Sequence, residues 1–396
     1  MTCTIQNFDK FLIKFKQSEQ WQTMLATVEN SPWHREANVA VHTEMVMQQY
    51  RERFMPHRTQ VEAVIALTAL LFHDTGKPVA EEVLEKKDGS GETYRRYAGH
   101  EQSSAVTFQE CYLQMPELRE MLTPYQARAV RWIIEHHLPY GYKDKVKRQG
   151  LAVATFAALA EAGVSYDTFF DCLRSDAAGR ISDDHETKLQ NVENWISEFR
   201  LINTAHVSPY GVQTMFILVG PSGSGKSTWI NKRFDPSTDV IISFDTYKDR
   251  FWSAKNQDVV GWMPPEYMSS PELDPVAHYD IIWRFANEHE SEFNQFADIQ
   301  IKNAINFVKS TNGTVFVDAV NASKKKRAKF IEIARQRKLD VVGVEFWNRF
   351  STLIDRQKTR GDKCVPYGSI KQQLDVVCGM WVGVEASKVW LEVEIT

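Results

Sequence analysis

Five cysteines are spread over 396 residues (Cys3, Cys111, Cys172, Cys364 and Cys378), and no two of them form a C-x-x-C pair. That spacing excludes zinc ribbons and a disulfide scaffold and fits a reducing compartment. Long apolar runs are also missing. The most apolar early stretch, Val61 to Phe72, is interrupted by Glu62 and Thr68. It falls short of the ~20 residues that a bilayer span needs and reads as a buried helix. The N-terminal MTCTIQNFDKFLIKFKQ alternates charge with aromatics and lacks the continuous apolar core of a secretory signal. A cytoplasmic location with no membrane partner is therefore expected. Neither charge dominates: 47 Lys plus Arg against 51 Asp plus Glu give a net charge of −4. The whole molecule has no general attraction for nucleic acid, so any such binding rests on local patches.

What remains is an ordinary globular composition, 43% hydrophobic and 25% charged, at a length that favours two or three domains. Eight of the eleven histidines precede residue 200, while the only glycine-rich phosphate loop follows it. Apolar residues recur at helical spacing in Phe8 to Phe15, Val39 to Met47, Val61 to Leu71, Ala127 to Ile134 and Val153 to Ala160. This predicts an all-α domain over residues 1–202. The polar NTAHVSPYGVQ, residues 203–213, reads as a linker. Beyond it, short β-branched runs alternate with helical stretches: Met215 to Val219, Val240 to Ser243, Thr314 to Asp318 and Val341 to Phe346. Residues 214–396 are thus expected to form an α/β domain with a parallel sheet. The interval Phe251 to Asn312 reads as a mostly helical insertion beside a substrate site.

Gly220-Pro-Ser-Gly-Ser-Gly225-Lys226-Ser227 satisfies G-x-x-x-x-G-K-[ST], directly after the apolar FILV and before TWINKRF. Backbone amides around Gly220, Gly223, Ser224 and Gly225 can wrap phosphates at a helix N-terminus that favours anions. Lys226 reaches the terminal phosphates, the Ser227 hydroxyl joins the shell of Mg²⁺, and Thr228 follows as a further nucleotide contact. ATP with Mg²⁺ is the expected cofactor pair. The loop alone does not separate kinase, ATPase and GTPase. Asp245, after the strand-like DVIISFD, is placed to accept a proton from an attacking hydroxyl; the competing reading is a helix-capping Asp. Asp318, ending TVFVDAVN, is placed to hold Mg²⁺ through water or to orient the acceptor. Arg356 and Arg360, four apart on a presumed helix, can close over a triphosphate as a lid; a solvated helix face competes with that reading.

The combination GPSGSGKSTW, Asp245, VDAVN and R-x-x-x-R-G-x-x-x-V-P resembles the bacteriophage 5′-hydroxyl polynucleotide kinase family over about residues 213 to 375. The resemblance implies Asp245 as general base, Asp318 as acceptor-placing residue, and Arg356 with Arg360 as lid. It departs at one position, because the arginine usual three residues after the base is Lys248 here, with Arg250 two further on. The stretch Lys324 to Lys338 holds eight basic residues against one acid and can track phosphates. Phe330, Ile331 and Ile333 interrupt it at helical spacing, so a half-buried helix with a solvated face is an equal reading.

The first half offers His42 in NVAVHTEMV, His73-Asp74 in ALLFHDTGKP, and Asp176 in CLRSDAAGR, with His100, His136, His137 and His34 as further candidates. Imidazole and carboxylate donors from separate helices suit a transition metal in a bundle core. The order H…HD…H…HH…D, with F-H-D-x-G-K-P and G-H-E-x-S-A, resembles the HD phosphohydrolase superfamily, particularly the branch fused to tRNA nucleotidyltransferases, over about residues 30 to 185. That resemblance implies His42, His73, Asp74 and Asp176 as primary metal ligands, His100 and His136 completing a second site, and Lys77 on substrate phosphate. One or two divalent transition metals such as Mn, Co or Ni would serve. Lys143, Lys145, Lys147 and Arg148 could guide an anionic substrate, or form a solvated loop.

A phosphoesterase joined to a 5′-kinase resembles the bifunctional HD-domain phosphohydrolase and polynucleotide kinase proteins of RNA repair. The implied function is the healing of RNA (or DNA) ends that carry a 2′,3′-cyclic, 2′- or 3′-phosphate and a 5′-hydroxyl, with a separate RNA ligase acting downstream. The haloacid-dehalogenase motif D-x-D-x-[TV] is absent, so the HD module would take that phosphatase role. The rival readings are a nucleotide-metabolism fusion, in which an HD nucleotidase joins a small-molecule or nucleoside kinase, and a non-catalytic RNA-binding switch.

Overall fold

A computed structural model describes residues 3–29, 35–85, 91–138, 144–202, 213–255, 275–360, 364–381 and 384–393. The linker 203–213 falls almost wholly outside these residues, as does the centre of the 251–312 insertion. The chain divides into two compact units. One is Met1–Val207 with Trp381–Val384 and Ile395–Thr396; the other is Ser208–Met380 with Glu385–Glu394. No helix among the described residues is long and apolar enough to cross a membrane.

The first unit is a helical assembly built around the helix Gln60–Phe72, which is buried without interruption from Glu62 to Phe72. Its sequence is apolar on every side, so it can only be a core helix. Thr59 starts it with a capping box: its hydroxyl accepts the Glu62 amide while the Glu62 carboxylate accepts the Thr59 amide at 2.9 Å. The helices Val39–Arg53, Pro124–Glu135 and Asp167–Ala178 all pack on this core helix, and His100–Gln114 packs on Pro124–Glu135. Two glycines set how closely these helices meet. A Cβ on Gly76 would come within 2.4 Å of the Ser104 amide nitrogen, and one on Gly179 within 2.7 Å of the Val46 backbone. The glycines of HDTGK and DAAG are therefore required by backbone approach rather than by turn geometry.

One expectation needs correction. The first unit is helical but not all-α, because β1 (Glu82–Glu85) and β2 (Thr93–Arg96) pair as an antiparallel hairpin. Both strands are short, charged and largely exposed, so they carry none of the apolar alternation by which a strand is read.

The second unit holds a five-stranded parallel sheet in the order β4 (Val240–Ser243), β5 (Val315–Asp318), β3 (Thr214–Val219), β6 (Asp340–Trp347), β7 (Lys388–Val393). Continuous burial from Val341 to Trp347 is the pattern of a strand covered on both faces. Register places Ser243 beside Asp318, so the chain leaves β4 and β5 side by side at their C-terminal ends, next to the loop that follows β3. Edge strand β7, half exposed, had no counterpart in the sequence reading.

The basic stretch forms the helix Lys324–Arg337, with Phe330, Ile331 and Ala334 buried. Arg327 is fully buried: it pairs with Glu385 at 3.0 Å and donates to the carbonyls of Asn321, Ala322, Cys378 and Gly379. One of the eight cations is thus a structural clamp that no polynucleotide can reach. Arg327→Ala strands the Glu385 carboxylate and should lower unfolding free energy by roughly 3–5 kcal/mol, as read by urea denaturation.

Candidate functional sites

In the second unit, a cavity of about 730 Å³ lies over the glycine loop. It is lined by residues 222–228, Asp245, Asp318, Arg356 and Arg360. The β3 strand delivers the loop, and the Gly220 amide donates to the Val320 carbonyl at 3.1 Å, which ties the loop to the VDAVN segment. Asn321 holds the other side of that segment: it takes a positive φ of 46° and its side-chain amide donates to the Leu218 carbonyl at 2.8 Å. Ser227 Oγ donates to Asp318 Oδ2 at 3.0 Å, so the two groups expected around Mg²⁺ are in contact. Lys226 Nζ donates to the Gly220 and Pro221 carbonyls at 2.9 and 2.7 Å. Burial pushes this ammonium down to about 8, with Asp318 pulling it back up. Asp245 lies in the first turn of the helix Phe244–Lys255, exposed at the cavity wall.

The lid differs from its expected form. The helix Phe350–Gln357 carries Arg356 in its last turn but ends there, and Arg360 follows in a turn closed by its amide on the Gln357 carbonyl at 3.1 Å. Both arginines still face the cavity. Arg356 Nη1 donates to the Gly223 carbonyl at 3.0 Å. Asp318→Ala removes the acceptor of the Ser227 hydroxyl and should weaken Mg²⁺-dependent ATP binding about ten-fold or more by calorimetry, while leaving Mg²⁺-free binding little changed.

In the first unit, the packed helices bring two triads together: His42, His73 and Asp176, and Asp74, His100 and His137, all buried. In the first triad, His42 Nε2, His73 Nε2 and Asp176 Oδ1 lie 3.2, 3.4 and 3.7 Å apart. In the second, Asp74 Oδ1, His100 Nε2 and His137 Nε2 lie 3.1, 3.3 and 3.7 Å apart. A point equidistant from either set is about 2.0 Å from each atom, the bond length of a first-row divalent ion to such donors. Asp74 joins the triads, since its Oδ2 lies 3.2 Å from His73 Nε2 and 3.5 Å from His42 Nε2.

The tautomers agree with cation binding. His73, His100 and His137 each place Nδ1 2.7 Å from a backbone carbonyl, of Leu70, Tyr97 and Ile134. Nδ1–H then donates and Nε2 presents a lone pair. Two such lone pairs facing each other at 3.3 Å, as in His100 and His137, require a positive charge between them. His42 Nδ1 lies 3.4 Å from Glu36, a carboxylate behind the ligand. Four carboxylates, Glu29, Glu36, Asp74 and Asp176, are buried here against the cations Lys77 and Arg180. With every imidazole neutral, the named groups leave two negative charges, which a divalent ion would balance. Burial opposes a proton on His73, yet Asp74 and Asp176 hold its pKa up at about 10, so without a cation its Nε2 carries a proton that a metal would displace; burial with His73 and His100 pushes His137 down to about 3, keeping it neutral. Asp74 and Asp176 stay ionised against burial, Asp74 through His73 and Lys77, Asp176 through Arg180 and His42.

Several expectations shift. His137, not His136, stands with Asp74 and His100. The helix Pro124–Glu135 stops before the pair, so the two rings diverge, and His136 stacks on Trp132 with Nδ1 on the Trp132 carbonyl. Lys77 is 3% exposed, and its ammonium is held by Glu29 at 2.6 Å and Asp74 at 2.8 Å, inside the cluster. His34 and Lys143 lie outside the described residues, as does the Lys145 side chain, and Arg148 pairs with Glu198. Glu29, Glu36 and Arg180 went unread; only Arg180, four residues after Asp176, had a sequence signal. Elemental analysis of purified variants should show reduced bound metal for His137→Ala and wild-type content for His136→Ala.

Residues 215–378, less than half of the chain, match the family model of an AAA domain. The helical unit lies outside that match, and comparison with curated proteins gives no match for the chain. With its parallel sheet, glycine loop and cavity, the second unit is a P-loop kinase-like domain, which implies ATP with Mg²⁺.

Proposed function

We propose that the chain heals RNA ends, phosphorylating a 5′-hydroxyl with ATP and hydrolysing a 2′,3′-cyclic, 2′- or 3′-phosphate at an HD-type metal centre. The observation that carries this reading is the pairing of a phosphate-donor cavity with a buried, net-negative histidine and aspartate cluster in one chain.

In the kinase step, the Asp245 carboxylate takes the proton of the 5′-hydroxyl as O5′ attacks the γ-phosphorus and the bond to the β–γ bridging oxygen breaks. ADP leaves. Lys226, Arg356 and Arg360 neutralise charge that spreads over the transferred group, and Ser227 with Asp318 would hold Mg²⁺. A nucleotide-bearing acceptor is supported beside the base: Lys248, one helical turn after Asp245, is half buried with Nζ 5.5 Å over the ring of Trp283, a residue 46% exposed. A cation and an exposed aromatic together suit a phosphate and a base.

In the hydrolytic step, His42, His73, Asp74 and Asp176 would hold one ion, and His100 and His137 with the second Asp74 oxygen another. A divalent ion bound there supplies Lewis-acid activation of water and of the phosphoryl oxygen. The chain's own part is to fix the imidazoles through backbone carbonyls, to keep Asp74 ionised and in place with Lys77, and to keep His137 neutral.

The test is an RNA with a 5′-hydroxyl and a 2′,3′-cyclic phosphate, incubated with ATP and Mg²⁺, Mn²⁺, Co²⁺ or Ni²⁺, with both termini read by mass. Phosphate gained at the 5′ end and a phosphate opened or lost at the other are expected. Lys226→Ala should lower 5′ transfer by roughly 10²–10³-fold and spare the 3′ reaction; Asp74→Ala should do the reverse and lose metal. Unchanged RNA ends with consumption of free nucleotides would replace this reading with the nucleotide-metabolism fusion.

A further inference from the structure

We propose that Gln357 is a positioning residue of the kinase cavity, whose carboxamide joins the phosphate loop to the lid arginine Arg360 so that the two act as one unit. This deepens the kinase reading and rests on it. Gln357 ends the helix Phe350–Gln357 and is 5% exposed. Its Nε2 donates to the Ser222 carbonyl at 3.2 Å and to the Leu353 carbonyl at 3.3 Å. Its Oε1 accepts from the Val365 amide at 3.0 Å and from Arg360 Nη1 at 3.4 Å. Two donors and two acceptors are thus engaged, the full capacity of an amide that also touches both segments that must cooperate.

The loop is gripped from the same side a second and a third time. The Ser222 amide donates to Gln373 Oε1 at 2.8 Å, from the helix Tyr367–Asp375, and Arg356 reaches the Gly223 carbonyl. Ser222 therefore has its carbonyl and its amide held by two glutamines of the lid region. The consequence for chemistry is specific. Arg360 must place its charge over the transferred phosphoryl group, and a long arginine side chain beyond a helix end has many rotamers; the Gln357 oxygen selects those that point to the loop. The amide's polarity is what matters, not its volume. A carboxylate at the same place would still attract Arg360 but would set an acceptor against the Ser222 and Leu353 carbonyls, and a thioether would make neither contact.

The test is a double-mutant cycle in the full chain between Gln357→Met and Arg360→Ala, reading ATP affinity by calorimetry, kcat on a 5′-hydroxyl oligonucleotide, and melting temperature. Gln357→Met should lower kcat about ten-fold, more than it lowers ATP affinity, with melting lowered by no more than about ten degrees and the protein folded at the assay temperature. In the Arg360→Ala background the same change should have little further effect. Gln357→Glu, equal in volume, should also lose activity and serves if the Met variant does not fold. Wild-type kcat in Gln357→Met, or full additivity with Arg360→Ala, overturns the proposal. If the wild type binds ATP but phosphorylates no oligonucleotide, the polynucleotide reading fails, and the cycle in ATP affinity still decides for or against Gln357.

Discussion

Buried negative charge organises the helical unit. Taking carboxylates out of water is expensive unless each meets a cation, and Glu29, Glu36, Asp74 and Asp176 are gathered here with Lys77 on Glu29 and Asp74 and Arg180 on Asp176. The surplus is concentrated on Asp74, whose two oxygens face separate sets of imidazoles. A packed core tolerates such a group only where a cation completes it. The close helix approach at Gly76 and Gly179, the uninterrupted burial of Gln60–Phe72 and the backbone carbonyls that fix the rings then follow as ways of holding donors at ligand spacing.

The second unit solves the opposite problem. Its parallel strands end together, and the site there gathers glycine-loop amides, Lys226 and two arginines to receive an anion. Asp318 stands against Ser227 and Asp245 at the cavity wall, the positions where Mg²⁺ and a proton belong, while the third carboxylate there, Glu392, accepts from the Trp229 indole. On the proposed reading, one site would hold a cation that meets phosphate esters, and the other receives the polyphosphate itself. Complementary phosphate chemistries in one chain are economical when both ends of a broken strand need repair.

Much of this was legible because the signals are local. Helical periodicity marked the core helices, β-branched runs marked four of the five strands, and the glycine loop announced its own geometry. The donors His42, His73, Asp74, His100 and Asp176 could be named, though spacing alone could not bring them together. What escaped depends on tertiary context. His136 and His137 are neighbours in sequence and both buried, and only the helix end at Glu135 decides which ring stands with Asp74 and His100. Lys77 and Arg327 look like phosphate ligands until a buried carboxylate is found against each. The β1–β2 hairpin carries a weak apolar pattern because its short strands are charged and largely exposed, whereas the edge strand β7, KVWLEV, is apolar enough to be read as a strand. Gln357 gave no signal beyond its place between two arginines.

The central claim is that the buried cluster is a metal centre and not a set of satisfied core histidines. Anomalous diffraction from crystals grown with Mn²⁺ or Co²⁺ addresses it most directly. The predicted result is a peak between His42, His73, Asp74 and Asp176, with a second beside His100 and His137 when both positions fill. A cluster with no anomalous peak under saturating metal, its rings bridged by protons alone, would contradict it.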